Sequence, residues 1–75
     1  MIERPIVRFE IHVHTQYGDH YVPHVIHNDL HLARCVAEDG LKLGNLDYKY
    51  ADEIEVRVNN RIVSRGYVYG KKIAW

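Results

Sequence analysis

The stretch from Pro5 to Thr15 alternates apolar and polar residues, without a break from Val7 onward. Val7, Phe9, Ile11 and Val13 point one way, and Arg8, Glu10, His12 and His14 point the other. A period of two over this length predicts a strand with one face on a core and the other in water. The same pattern returns from Glu53 to Val58, with Ile54, Val56 and Val58 inward and Glu53, Glu55 and Arg57 outward.

The rest of the chain fills in around these strands. Tyr17-Gly18-Asp19 is a turn signal, and His20 to His27 reads as the returning strand. Pro23 has no N–H to give a ladder, which favours an edge position or a bulge. Asn28 and Asp29 are good helix caps, because a short side-chain oxygen accepts from the free N–H groups of a first turn. A helix is expected from Asp29 to Asp39. Leu30, Ala33, Val36 and Ala37 share its inner face with Leu32 at the margin, and His31, Arg34, Cys35 and Glu38 lie outside. Gly40 is the expected stop. From Leu41 to Asp52 the pattern gives a loop, or a loop holding a short strand from Leu46 to Tyr50. Asn59-Asn60 predicts a two-residue hairpin turn, since asparagine tolerates positive φ. Arg61 to Tyr69 is read as the last strand, with Gly66 marking a bulge. The expected fold class is α+β: one domain over residues 1–75, an antiparallel sheet of about four strands, one helix on one face, order β-β-α-β-β.

Composition narrows the function classes. No apolar run approaches the ~20 residues of a membrane span, and MIERPIVRFE lacks the basic-then-apolar layout of a signal peptide. Cys35 is the only cysteine. Small secreted domains usually carry several, so a cytoplasmic location is expected. The ten basic and ten acidic residues cancel, but unevenly. Residues 1–47 hold four basic against seven acidic residues, a net −3, and residues 48–75 hold six against three, a net +3. Such polarity suits a charge-complementary partner.

All six histidines fall between His12 and His31. Histidine is the commonest metal ligand and titrates nearest neutral pH. His12 and His14 are side by side on the polar strand face. Whether a third joins them depends on the hairpin register. A three-residue loop, Gly18 to His20, brings His24 to the same face, and a two-residue loop, Gly18-Asp19, turns it inward. His12, His14 and His24 are thus the candidate ligands of a zinc or manganese site. The plain alternative is a set of solvent-facing or interface histidines, with no cofactor. His31 and Cys35, one helical turn apart, supply only two ligands, whereas structural zinc takes four. If the histidines crowd one face, stability should fall in mild acid.

The stretch IHVHTQYGD resembles the first motif of the polymerase-and-histidinol-phosphatase family of metal-dependent phosphoesterases. There, H-x-H-[ST] after a strand is followed by serine, aspartate and glycine. His12, Val13, His14, Thr15 and Asp19 match, whereas Gly18 replaces the serine and His20 the glycine. The resemblance implies metal ligation by His12 and His14 in a (β/α) barrel. The family's next motif, threonine-aspartate-histidine, is absent where the chain reads LKLGNLDYKY, and 75 residues cannot build the barrel.

No other catalytic set is complete. Ser64 has no motif around it, Cys35 sits on a plain helix flank, and the five glycines stand alone, none in a phosphate-cradling loop. The C-terminal hairpin interleaves Arg57, Arg61, Arg65, Lys71 and Lys72 with Tyr67, Tyr69 and Trp75. Such a surface suits a protein partner or, alternatively, RNA or DNA. A homodimer through a strand edge is compatible with either. The segment NDLHLARCVAEDG followed by EIEVRVNNRIVSRGYVYG resembles the plan of small phage-encoded accessory proteins, some anti-CRISPR inhibitors among them. That resemblance implies a viral inhibitor that occludes a host nucleoprotein complex. The leading expectation is therefore a small non-enzymatic binding protein. A metal-binding or phosphoesterase-like protein and a nucleic-acid module are the alternatives.

Overall fold

The computed structural model describes residues 5–75. Glu3 and Arg4, counted in the acidic half, and the first four residues of the stretch read for a leader lie outside them. The chain forms β1 (Arg8–Thr15), β2 (His20–His27), α1 (Leu30–Lys42), β3 (Ala51–Val58), β4 (Arg61–Tyr69) and β5 (Lys72–Ala74). The five strands make one antiparallel sheet in the order β2-β1-β3-β4-β5. The α+β class with one helix is as expected, but the sheet has five strands, not four. After Gly70 (φ 61°) the chain turns back, and Lys72–Ala74 pairs with the end of β4. Three residues are too few to show a period.

β2 and β3 lie on either side of β1 and run parallel to each other, so the segment between them must cross β1. α1 makes that crossing and covers one face of the sheet. On that face Ile11 pairs with Val56 and Val13 with Ile54, all four fully buried. Ala33, Ala37 and Leu41 repeat every four residues along the helix and close the core from above. Leu32 remains largely exposed. Two of the expected outer residues turn toward the sheet instead. Arg34 Nε donates to Ser64 Oγ (3.0 Å) and lies over the Trp75 ring, whose Nε1 donates to Glu38 (2.6 Å).

Asp29 is the N-cap, accepting from the Leu32 N–H (2.9 Å). Asn28, at φ 60°, instead closes the sheet end by exchanging hydrogen bonds with Val7. The helix runs through Gly40 and ends in a Schellman motif at Gly44 (φ 71°). There the Asn45 N–H reaches the Gly40 carbonyl (2.8 Å) and the Gly44 N–H reaches that of Leu41 (3.2 Å). Gly40 serves another purpose: a Cβ there would enter the ring of Tyr48, which is almost fully buried against it. Residues 46–50 are turns rather than a strand, wound so that Tyr48 points into the core.

Gly66 is likewise a place of close approach. A Cβ there would stand 2.7 Å from Trp75 Cε3. The bulge of β4 falls at Val63, where the pairing passes from Val56↔Ser64 to Arg57↔Ile62. Asn59 and Asn60 form the hairpin turn with φ 49° and 66°, as their chemistry requires.

Gly40→Ala separates the two roles of that residue. An ordinary helix glycine would gain about 1 kcal/mol on substitution. Here the methyl must displace Tyr48, and overpacking should cost about 1–3 kcal/mol net, read as a lower urea midpoint. A raised midpoint would contradict the packing described.

Candidate functional site

Among the described residues no helix covers the second face of the sheet. The register builds it in rows. His20, His14, Glu53, Tyr67 and Ala74 form one row across all five strands, and His12, Glu55 and Arg65 form the next. Glu10 and Arg57 follow, with Val25 beside one and Ile62 beside the other. Tyr69 lies next to Lys72 at the far corner.

Glu55 is the centre of this face. It is only 3% exposed although no backbone layer lies above it. Its neighbours enclose it instead. His14 Nε2 (2.5 Å) and Arg57 Nη2 (2.7 Å) donate to its Oε1, and Arg65 Nη2 donates to its Oε2 (3.0 Å). Arg65 also pairs with Glu53 through Nε (2.8 Å). Burial pushes the Glu55 pKa up, but the hydrogen bonds from His14, Arg57 and Arg65 outweigh it and hold the carboxyl at about 2.

The histidines divide by strand register. Pro23 lies in edge strand β2 and at a bulge, as expected from its missing N–H. The pairing passes from Ile11↔His24 to Val13↔Tyr21, so Val22 and Pro23 together oppose His12. That extra residue reverses the facing of the strand's first part. His20 joins His12 and His14 on the uncovered face, and His24 goes to the helix side, where its Nδ1 and the Tyr48 hydroxyl share a hydrogen bond (2.7 Å). The grouping of His12, His14 and His24 is therefore corrected: the third member beside His12 and His14 is His20. His12 Nδ1 and His20 Nε2 are 2.9 Å apart, His12 Nε2 is 3.3 Å from Glu10, and the rings of His14 and His20 stack at 4.1 Å. Stacked rings do not converge on one ion. Among the described residues no group of three or more His, Cys, Asp or Glu is arranged to hold a metal. Cys35 Sγ and His31 Nε2 approach to 3.5 Å on the helix flank.

Of the hairpin residues singled out from the sequence, Arg57, Arg65, Tyr67, Tyr69 and Lys72 share the uncovered face. Arg61 stands at the start of β4 and Lys71 in the turn before β5. Arg57 and Arg65 are bound to protein carboxylates. Tyr67 and Tyr69 are 57% and 63% exposed. Beside them Lys42, Lys71 and Lys72 line one shallow depression. Leu43 and Leu46 are exposed in the connection that follows α1. Tyr17 packs edge-on against Tyr50 at the same end of the sheet, and Lys49 lies over Tyr50. No helix among the described residues is long and apolar enough to cross a membrane.

Sequence reasoning missed Glu55, His20 and the Arg34–Trp75–Glu38 contact. Each depends on which strands become neighbours. The chain matches no family model, no curated protein and no solved structure.

The hub has a measurable consequence. The unfolded carboxyl takes its proton near pH 4.5 and the folded one near 2. Stability from Glu55 is present above pH 4.5 and lost as pH falls toward 2. Glu55→Gln should destabilise the protein at pH 7 by about 2 kcal/mol and flatten the stability profile between those values. An unchanged profile in chemical denaturation would contradict the assignment.

Proposed function

We propose that this is a small non-enzymatic binding protein whose uncovered sheet face engages a protein partner. The observation that carries the reading is the corner formed by Tyr67, Tyr69 and Lys72. Two largely exposed tyrosines stand side by side on a rigid strand, braced by the Glu53–Arg65 ion pair. Tyrosine offers a large amphipathic surface at low entropic cost and is enriched among residues that dominate interface energies. Exposed Tyr17 and Tyr50 lie at the same end of the sheet.

Charge favours protein over nucleic acid as the partner. A phosphate backbone needs free cations; here Arg57 and Arg65 are held by Glu55 and Glu53, and Lys42, Lys71 and Lys72 share their depression with Glu38 and Asp39. A surface on a nucleoprotein complex, the target that the phage-protein resemblance implies, is one partner of this kind. A reducing cytoplasmic setting fits the single cysteine.

Photo-crosslinking from position 72 in the native cells, followed by mass spectrometry, tests the reading. One discrete protein adduct is expected. It should disappear in the Tyr67→Ala/Tyr69→Ala double variant, since each anchor is worth about 2 kcal/mol, and persist in Cys35→Ser. Adducts indifferent to the two tyrosines would contradict the assigned face. Salt-sensitive adducts to nucleic acid would instead support the nucleic-acid alternative.

A further inference from the structure

His12, His14 and His20 form a cluster with unusual proton arithmetic. His12 Nδ1 and His20 Nε2 lie 2.9 Å apart, so one hydrogen must sit between them: one ring donates and the other accepts. His12 Nε2 faces the Glu10 carboxylate, which can only accept. The neutral pair therefore reads His20 Nε2–H to His12 Nδ1, then His12 Nε2–H to Glu10. A first proton is accommodated, because a protonated His12 donates to both His20 and Glu10. A second is not, because both facing nitrogens would then carry hydrogens.

The groups around His20 set the balance. From β1 it faces His12, His14 and Glu10, and from β3 it faces Glu55, Glu53 and Arg57. β4 contributes Arg65, bound to both of those carboxylates, and Asp19 precedes it in the turn. Glu55 is already committed to three donors and has little left for another cation. Desolvation by the groups packed against it, then His14, His12 and Arg57, lower the pKa of the exposed His20 below its ordinary 6.5, and Glu55 opposes them.

Position makes the pair a fastening. His20 begins edge strand β2, and the Val22–Pro23 bulge lies two residues on, so the segment from Tyr17 to Val22 has its own boundary. Beside it the segment is held by its pairing with Val13 and His14, by the Tyr21 hydroxyl donating to the Asp47 carbonyl (2.8 Å), by Tyr17 packed on Tyr50, and by turn bonds, among them the Thr15 N–H to the Asp19 carbonyl (2.8 Å) and the Asp19 N–H to Thr15 Oγ1 (3.0 Å). We infer that the His12–His20 pair is a proton-operated latch: its second proton uncouples the rings and frees residues 17–22 from β1, with the bulge as hinge. The mechanism is independent of what the sheet face binds.

The sign follows from linkage. A histidine whose folded pKa is lowered binds fewer protons than the unfolded one, so its segment is fully held above pH 6.5 and loses stability as pH falls below that value. Amide hydrogen exchange by NMR, corrected for intrinsic rates, reads this directly. Between pH 7.5 and pH 5, protection at Tyr21, whose N–H faces β1, should fall about tenfold or more, while Ile54 and Val56 hold theirs. In His20→Gln, whose amide can donate to His12 but takes no proton, the fall should vanish. His27→Gln, at the other end of β2, should retain it. A side-chain titration of the wild type should place His20 below 6.5. Constant protection in the wild type, or pH-dependent loss that survives in His20→Gln, would overturn the latch.

Discussion

One helix cannot cover both faces of a five-stranded sheet, and the rest of the molecule answers that constraint. On the covered face the answer is packing: Ile11, Val13, Ile54 and Val56 under Ala33, Ala37 and Leu41. On the other face the same strands carry Glu10, His12, His14, Glu53, Glu55 and Arg57. A buried carboxylate is costly unless its lone pairs are occupied. Glu55 meets that requirement with His14, Arg57 and Arg65, drawn from β1, β3 and β4. The interaction thus ties three strands together where no hydrophobic layer does so.

Close approach organises the covered side. Small residues let α1 settle low on the sheet, and two glycines admit aromatic rings: Gly40 receives Tyr48, and Gly66 receives Trp75. Trp75 then links β4 to the helix through Glu38 and Arg34. The shortest strand, β5, is anchored by this contact and by Ile73. That anchoring fixes the backbone beneath Tyr67 and Tyr69, because Ala74 and Lys72 are their partners across the sheet. Exposed tyrosines on a paired strand suit the proposed role of preformed anchors.

Local chemistry was legible in the sequence and long-range neighbourhood was not. The alternation of Val7 to His14 and of Glu53 to Val58, the Asp29 cap and the Asn59-Asn60 turn each follow from a few adjacent residues. Periodicity does not say that β3 lies beside β1, which is what puts Glu53 and Glu55 opposite His14 and His12. Pro23 announces an edge or a bulge. Its effect on His20 and His24 depends on the two residues that together oppose His12. Gly40 was read as a helix end because glycine often ends helices, but the constraint came from Tyr48, eight residues on and unreadable from pattern.

The carboxylate hub adjoins both the tyrosine corner proposed for contact and the histidine pair proposed to sense protons. An NMR titration of the Glu55 side-chain carboxyl tests it most directly. A midpoint of about 2 is expected. A midpoint at the ordinary value of 4.5 would mean that His14, Arg57 and Arg65 do not hold it, and the uncovered face would lose its organising contact.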